Sequence, residues 1–376
     1  MEFYCRFMLR KNNSNNAGRR LGGFFSLPLA MAMLILGASI PASALTTNEV
    51  NIMVDSYSKA FYAVKGENGY FKNEQTGGTV DFWKEAEEIE TVLDAYEWTS
   101  NAAYKTMITS LLNGFKKSNG ATWSTNIYND DCMWASIAFA RGYLDTGNAR
   151  FRTVAKANFD MVYARAWDDQ LGGGLWWTTQ KTTKNACVNG PGAIAAYLLY
   201  RCLGDSAYLT KAGQIYDWER TNLFVAETGK IFDAERTKGM PHGGATTYNQ
   251  GTFIGAANYL GRTNDAMLAA DYTMRRMSTD GILPQYGQTG NNSGFNAIFI
   301  RWLVPFMKDR GLQGRYQSWL RQNADAAWNV RRTSDNLSWC QWREQTPLGT
   351  NLCSWGCISS VESLLAVFPA QTTSPK

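Results

Sequence analysis

Two adjacent aspartates, Asp130 and Asp131, lie where an aromatic segment, TWSTNIY, leads into an apolar stretch. Two carboxyl groups are the minimum equipment for cleaving a glycosidic bond, because one can attack while the other exchanges a proton with the leaving oxygen. An aspartate at a helix start can instead be an N-cap that accepts hydrogen bonds from the first turn. A cap explains one aspartate and leaves its neighbour unexplained, so the pair is the first candidate for chemistry.

Other candidates for chemistry are weaker. The doublet Asp168-Asp169 lies in WDDQLGGGLWW, where the glycines favour a turn or a cation-binding loop, and it ranks second. The single histidine, His242, lies in the flexible segment GMPHGGATT and fits a surface or packing role better than a ligand role. The sequence contains no G-x-S-x-G motif, and it has no Gly-rich nucleotide fingerprint, so we predict no cofactor. Only Cys353 and Cys357 have metal-type spacing and His242 is the sole histidine, so we predict no metal.

The elements that must position these residues repeat along the chain. An amphipathic helix ends at a short turn rich in Gly, Asn, Asp or Ser, and a second helix follows at once. The pattern predicts helical hairpins over 81–118, 130–164, 189–221, 249–278 and 293–330, with 49–64 and 357–368 as a sixth pair joined across the termini. The first helix of each hairpin is more apolar than the second, which predicts six inner and six outer helices. We therefore expect an all-α fold, an (α/α)6 barrel or six-hairpin toroid, with an open α-solenoid as the alternative.

Long loops precede the inner helices, and they should gather on one face of the toroid. They cover about 65–80, 119–129, 165–188, 222–248, 279–292 and 331–356, and the best short strand candidates within them are GGGLWW and GKIFDAE. Sites usually lie on loops held by a rigid scaffold. Amides and aromatics dominate this face, as in a carbohydrate cleft; the candidates are Asn129, Trp134, Trp176, Trp177, Asn185, Asn189, Tyr248, Asn249, Gln250, Asn292, Ser293 and Phe295. Trp176 and Trp177 suit either a sugar platform or a loop anchor packed on the toroid.

The start of the chain has the features of an export signal. A basic stretch precedes an apolar run and the A-x-A pattern Ala42-Ser43-Ala44, which predicts a secretory signal peptide over 1–44 and a secreted single domain over 45–376. An uncleaved membrane anchor is the alternative. The leader carries five basic residues and one acidic residue, so its removal lowers the formal net charge from +5 to +1. Bulk charge therefore predicts no nucleic-acid partner and no stable membrane partner for a chain that we expect to be a monomer.

Six of the seven cysteines lie beyond the leader. An even count in an exported chain permits disulfides, and we expect one within 340–357. Cys132 and Cys202 lie in apolar helical segments and fit plain buried thiols.

Four segments in order resemble glycoside hydrolase family 76, the endo-α-1,6-mannanases and related fungal cell-wall transglycosylases. They are YNDDCMWASIAFARGYLDTGN, GGGLWWTTQKTTKNACVNGPGAIAAYLLY, TTYNQGTFIGAANYLGRTND and DGILPQYGQTGNNSGFNAIFIRWL. The resemblance covers most of 80–310 and implies an (α/α)6 barrel, retaining chemistry and α-1,6-linked mannan as the polysaccharide substrate. Cys132 and Gln285 depart from the family pattern, and the second departure puts one substrate contact in doubt.

The resemblance also implies roles for individual residues. Asp130 matches the family's nucleophile and Asp131 its acid/base, while Asn189 matches the Asn of an N-x-P segment. Tyr248, Asn249 and Gln250 match the Y-N-Q triplet that lines the sugar subsites. Three alternatives remain open: a transglycosylase, a non-catalytic mannan-binding protein, and another (α/α)6 enzyme that acts on uronic acids or epimerises sugars.

Overall fold

The computed structural model describes residues 45–368, and this part of the chain contains twelve α-helices. Their bounds are α1 Thr47–Phe61, α2 Phe82–Thr99, α3 Ala102–Asn119, α4 Asn129–Thr146, α5 Ala149–Ala166, α6 Ala186–Leu203, α7 Ser206–Asn222, α8 Thr247–Tyr259, α9 Thr263–Tyr272, α10 Phe295–Asp309, α11 Gln313–Asn329 and α12 Ser354–Leu365.

The even-numbered helices form a closed inner ring. Each packs against the next, from α2 through α10, and α12 packs against both α10 and α2. The odd-numbered helices lie outside, and α1 packs on α12 as the sixth pair across the termini. The prediction of an (α/α)6 barrel is confirmed, and ring closure excludes the open solenoid. Inner helices such as α6 and α10 are buried nearly all round because their sequences are largely apolar.

Short turns on one face of the barrel end each inner helix and begin the outer helix that follows it. Gly147 and Gly204 end α4 and α6 in the left-handed conformation, with φ of 74° and 71°. Asn148 and Asp205 then cap α5 and α7 by accepting hydrogen bonds from the N–H groups two residues ahead. The long loops therefore all lie on the opposite face, where they lead into the N-termini of the inner helices.

Eight short strands lie in these loops and on their edges. They are β1 Tyr62–Lys65, β2 Asn68–Glu74, β3 Gly77–Thr79, β4 Lys184–Asn185, β5 Phe224–Val225, β6 Lys230–Ile231, β7 Ala234–Glu235 and β8 Pro241–His242. They pair antiparallel in the orders β1-β2-β3, β4-β7-β8 and β5-β6. The candidate segment GKIFDAE contains β6 and β7, whereas GGGLWW contributes only single bridging pairs.

The prediction was wrong about residues 62–80, which form a three-stranded sheet and not a helix end followed by a loop. The helix α1 stops at Phe61, and a tight turn at Gly66 (φ 66°) reverses the chain so that Lys65 pairs with Asn68. The sheet lies directly on α3, where a Cβ at Gly114 would come within 1.8 Å of the Gly69 carbonyl oxygen. The last helix also begins earlier than predicted, because Cys353 caps it.

The disulfide expected within 340–357 is not formed. All six cysteines of the described residues are free and buried. The Cys340 thiol donates to the Tyr286 carbonyl oxygen at 3.0 Å, and the Cys353 thiol donates to the Gln288 carbonyl oxygen at 2.7 Å. These cysteines thus hold the loop before α10 through hydrogen bonds. Cys132 and Cys202 are buried thiols on inner helices, as the sequence indicated.

The barrel axis contains a buried ionic cluster that the sequence reading did not identify. Arg141 and Arg301, both almost fully buried, point from α4 and α10 towards the acidic helix α2. Their partners at the axis are the carboxylates of Glu87, Glu90, Asp94 and Glu362. Carboxylates outnumber guanidinium groups, and burial raises the pKa of Glu87 to about 8 against the opposing charge of Arg301.

The predicted leader lies outside the described residues. Within residues 45–368, no helix combines the length and the hydrophobicity needed to cross a membrane.

Candidate active site

Asp130 and Asp131 lie in the first turn of α4, on the long-loop face. The N-cap of this helix is Tyr128, which has extended backbone dihedrals and makes no side-chain cap. Neither aspartate is therefore the cap, because both lie inside the helix, which begins at Asn129. Neighbouring helical side chains diverge by about 100°. The two carboxyl groups reach the same cleft from different directions.

The cleft above α4 has a volume of about 680 Å³. Both aspartates line it, together with five aromatic side chains of the barrel rim and two of the loops. Its lining residues are Asp81, Phe82, Trp83, Tyr128, Asp130, Asp131, Trp134, Trp177, Asn185, Cys187, Asp233, Tyr248, Asn291 and Phe295. Four of these carry carboxyl groups, and none is Lys, Arg or His. A negatively charged sugar would meet no countercharge here, so the cleft suits a neutral glycan.

Both aspartates have raised pKa values. Burial raises the pKa of Asp130 to about 7, aided by the Asp131 charge, while the Trp177 indole and the Cys187 thiol oppose the shift. Burial also raises the pKa of Asp131 to about 6, although the hydrogen bond from Asn126 works against it. Between about pH 6 and 7 the pair therefore holds one proton, which is the state needed for one acid and one base.

A hydrogen-bond network that the sequence did not predict fixes the loop that leads into α4. The Arg165 guanidinium, from the end of α5, donates to Asn129 Oδ1 at 2.7 Å and to the carbonyl oxygens of Ser124 and Asn126 at 3.0 and 2.8 Å. Asn126 Nδ2 in turn donates to Asp131 Oδ2 at 3.0 Å. Arg165 therefore acts on Asp131 through Asn126, which leaves the other carboxyl oxygen of Asp131 free to face the cleft.

Aromatic rings form the floor and the walls of the cleft. Tyr248 stacks on Phe295 with ring centroids 4.0 Å apart, and Trp134 lies 6.4 Å from Tyr248 beneath them. Tyr128 and Trp177 lie against each other at 5.6 Å on one wall. Flat apolar rings beside carboxyl and amide groups are the usual surroundings of a sugar ring.

Of the predicted sugar contacts, Trp134, Trp177, Tyr248 and Phe295 line the cleft, as does Asn185, whereas several buried amides lie behind its wall. The side-chain amides of Asn129, Asn189 and Gln250 form hydrogen bonds with the backbone. The Asn129 amide donates to the Trp176 carbonyl oxygen. Asn189 both accepts from and donates to Leu175, and Gln250 bonds the backbone at residues 229, 231 and 269. These amides position the loops, since buried polar groups need partners.

Two other predicted residues support the cleft from behind. Asn249 Nδ2 donates to Asp233 Oδ1 at 3.1 Å and so orients a carboxyl group that lines the cleft. The hydroxyl group of Ser293 donates to the Gly290 carbonyl oxygen at 2.7 Å and shapes the loop before α10. Asn292 is exposed. Gln285 and Cys132, the two departures from the family pattern, are not among the residues that line the cleft.

The rival doublet forms a cation-binding loop whose cation is a lysine of the chain. The ammonium group of Lys184 lies 3.0 Å from Asp168 Oδ1 and 2.6 Å from the carbonyl oxygens of Gln170 and Gly173. Burial would raise the pKa of Asp168, but hydrogen bonds from Trp176 and from two lysines outweigh it and lower the pKa to about 2. Asp168 is thus a permanent carboxylate that anchors the loop, and it holds Trp176 away from the cleft. Asp169 is exposed beside it.

Two carboxylates of the cleft, Asp81 and Asp233, were missed. Asp81 is the N-cap residue of α2 and pairs with Lys84 Nζ at 2.8 Å, and its charge raises the pKa of Asp131. Burial raises the pKa of Asp233, which the Asn249 amide and the charge of the exposed His242 oppose. Position offered a signal for Asp81, since it directly precedes an inner helix as the Asp130 segment does. Asp233 stands alone in a loop with no such signal.

A closed ring of helical hairpins with a carboxyl pair in an aromatic cleft that has no basic lining residue is the arrangement expected of a glycoside hydrolase of the (α/α)6 class. Residues 42–370 match the model of glycosyl hydrolase family 76. The chain belongs to this family.

Solved structures with the same fold include relatives with bound sugars. An inactive variant of the α-1,6-mannanase GH76A of Salegentibacter sp. HEL1_6, with two neighbouring aspartates changed to asparagine, was solved with α-1,6-mannotriose. It is 25% identical, has a TM-score of 0.77, and the alignment covers 85% of this chain and 98% of that one. A second inactive variant of that enzyme, with alanine at both positions and α-1,6-mannotetrose bound, is 26% identical with a TM-score of 0.76 over 85% and 98% of the two chains.

A more distant structure shares the fold alone. It is Dfg5 from Chaetomium thermophilum in complex with glucosamine, at 16% identity and a TM-score of 0.71, covering 86% of this chain and 91% of that one. A comparison with curated protein sequences finds no significant match.

Proposed function

We propose that the protein is a retaining endo-α-1,6-mannanase that cuts α-1,6-linked mannan with Asp130 and Asp131. The observation that carries the proposal is the placement of the two neighbouring aspartates at the bottom of an aromatic cleft that has no basic lining residue. The similar Salegentibacter enzyme is inactive when two neighbouring aspartates are replaced, and it binds α-1,6-mannotriose. A lining with four aspartates and no basic residue favours neutral mannan over uronic acids. The single histidine of the chain argues against sugar epimerisation, because His242 is exposed and lies outside the cleft.

In the first step, Asp130 attacks the anomeric carbon and forms a glycosyl-enzyme, while Asp131 protonates the departing oxygen. Asp131 then removes a proton from the incoming water, and its role changes from acid to base. Asp131 suits proton transfer because Asn126 holds one of its oxygens and leaves the other for the substrate. Asp130 suits attack because it lies deeper, against Trp177, Cys187 and the ring of Tyr248.

The resting pKa values point the other way, since Asp130 has the higher one. We assign the roles by geometry and family resemblance, because the order that matters is the one in the transition state, where the sugar carries positive charge. Positive charge that develops at the anomeric carbon stabilises the adjacent carboxylate and lowers its pKa. The single proton of the pair then resides on the carboxyl group that faces the leaving oxygen.

The test is incubation of the purified protein with unbranched α-1,6-mannan, followed by sizing of the products. Short oligosaccharides indicate endo-hydrolysis, lengthened chains indicate transfer to a second sugar, and an unchanged polymer refutes both activities. Asp130→Asn and Asp131→Asn should each abolish cleavage with the fold retained. Asp169→Asn is the matched control, since this exposed aspartate also has an aspartate neighbour but lies outside the cleft.

Secretion remains a prediction from the leader. Sequencing the N-terminus of the exported protein tests it, with Leu45 as the expected first residue.

A further inference from the structure

A second cavity lies on the outside of the barrel, between the end of α5, the helix α7 and the glycine loop at 171–174. It has a volume of about 450 Å³ and shares no lining residue with the active cleft. We call it the outer pocket and define it by Trp167, Gly172, Gln214, Asp217, Asn222 and Lys238, all of which line it.

The aromatic wall of the outer pocket ends a row of parallel rings along α5. Tyr163 lies on Phe159 at 5.9 Å with an interplanar angle of 22°, and Trp167 lies on Tyr163 at 5.5 Å with an angle of 13°. Trp167 is the terminal ring and remains half-buried at the cavity. If these rings served only to fill the core, the row would not need to end at a cavity. A flat aromatic ring at the edge of a cavity suits a sugar.

The loop beside Trp167 is built to hold the ring in place. A Cβ at Gly173 would come within 3.3 Å of the Trp167 ring, and one at Gly174 within 2.2 Å of the Trp218 ring, so the bare backbone packs on both indoles. At Gly172 nothing lies within 4 Å of that position, and its φ of 83° suits glycine. The Lys184 ammonium group clamps the same loop through the Gln170 and Gly173 carbonyl oxygens. The pocket is therefore a fixed concavity.

The polar groups of the outer pocket balance in charge. Asp217 and Lys238 carry opposite charges and are both exposed, and the remaining polar lining groups include two side-chain amides. The Gln214 amide oxygen accepts from the Tyr163 hydroxyl at 3.3 Å, which orients the amide and leaves its NH2 group unused in that bond. A ring face, oriented amides and no net charge suit hydroxyl-rich neutral ligands better than phosphates or lipids.

We propose that the outer pocket is a second glycan-binding site, which holds a segment of neutral polysaccharide on the outside of the barrel. The identification of this polymer as α-1,6-mannan rests on the proposed function. The loop that builds the pocket continues to Trp177, which lines the active cleft, so both sites lie on the two sides of one loop. Binding a polymer at two points raises its effective concentration at the cleft without any change in the chemistry.

The test measures affinity for polymer and for short sugar separately. In an Asp130→Asn, Asp131→Asn background, which keeps the polymer uncut, retardation by long α-1,6-mannan in a native gel is compared for Trp167→Ala and Gln214→Ala. Loss of one aromatic contact should weaken polymer binding by about three- to tenfold. Calorimetric affinity for α-1,6-mannotriose, which reports the cleft, should stay unchanged. Gln214 is exposed, so its variant tests the site even if Trp167→Ala disturbs packing.

Trp328→Ala is the matched control. This tryptophan is also half-buried on an outer helix, but the Arg331 guanidinium lies 3.5 Å from its ring centroid and covers a face. Polymer binding equal to the parent in both folded pocket variants overturns the proposal, as does an equal loss in Trp328→Ala. These outcomes are separate from the proposed function, which is judged by cleavage of mannan by the active enzyme. If the active enzyme cuts mannan but binds polymer equally well without Trp167 and Gln214, only the proposal of the outer pocket fails.

Discussion

The assignment of roles within the aspartate pair can be tested by removing each carboxyl group and supplying azide. Consider Asp131→Ala with an aryl α-mannoside whose leaving group needs no proton. Loss of a general acid costs about 10²–10⁴-fold on natural mannan, but the activated substrate should lose far less, because only the protonation step is missing. Azide then attacks the glycosyl-enzyme in place of water and gives an α-mannosyl azide with retained configuration.

Asp130→Ala should behave differently. Without a nucleophile no glycosyl-enzyme forms, and azide that occupies the space of the carboxyl group attacks the substrate directly and gives the β-anomer. Proton NMR of the products distinguishes the two anomers. Asp169→Ala, treated in the same way, should give no azide product and unchanged hydrolysis.

The pH dependence of the Asp131→Ala variant supplies a second readout. Activity on the activated substrate requires ionised Asp130, so it should rise with pH in a single step. The charge of Asp131 raises the pKa of Asp130 in the intact protein, and its removal should move that step below about pH 7. A β-azide from Asp131→Ala together with an α-azide from Asp130→Ala would reverse the roles. Unchanged turnover in both variants would refute the whole mechanism.

Three further predictions concern the surroundings of the pair. Asp81→Asn removes a negative charge that raises the pKa of Asp131. In the substrate complex, where Asp131 holds the proton, the alkaline limb of the kcat profile should therefore move down by roughly 0.1–0.7 pH unit; an upward shift would contradict the placement of Asp81. Arg165→Met should lower the free energy of unfolding by about 2 kcal/mol in a denaturant titration, because it leaves three oxygens of the α4 approach without their donor. Burial raises the pKa of Glu87 to about 8 despite Arg301. The protonated group therefore contributes fully to stability below the unfolded pKa near 4.3, and this contribution is lost as the pH rises towards 8. Tm should fall by about 5 °C between pH 5 and 8, and Glu87→Gln should flatten this decrease.

The helical hairpins could be predicted from the sequence because each one carries its own local signals. Gly147 and Asn148, or Gly204 and Asp205, stop one helix and cap the next without help from distant residues. The sheet at 62–79 had no comparable signal. Its first strand has only four residues, and its place depends on packing against α3 at Gly114, which is distant in sequence.

The site was predictable in position and only partly in detail. A doublet of aspartates at the start of an inner helix indicated the position of the cleft, yet sequence spacing could not show which of two adjacent tryptophans faces it. Trp177 lines the cleft, while Trp176 is turned away because its indole N–H donates to Asp168 at 2.7 Å and its ring lies against the Lys184 ammonium group. That choice depends on an ion pair formed by the same loop, and residue type alone does not encode it.

The two doublets show why an aspartate pair needs its surroundings before it can be assigned a role. At 168–169 a buried lysine keeps one carboxylate ionised at every pH near neutrality, so it can neither donate nor accept a proton in a reaction. At 130–131 no basic group lines the cleft, and burial raises both pKa values into the range where one proton is shared. Proton transfer at neutral pH requires that shared proton. The absence of a lysine from the cleft lining therefore helps to keep both pKa values raised. A lysine introduced at Asn185, which lines the cleft, should lower both pKa values and abolish activity while leaving the barrel folded.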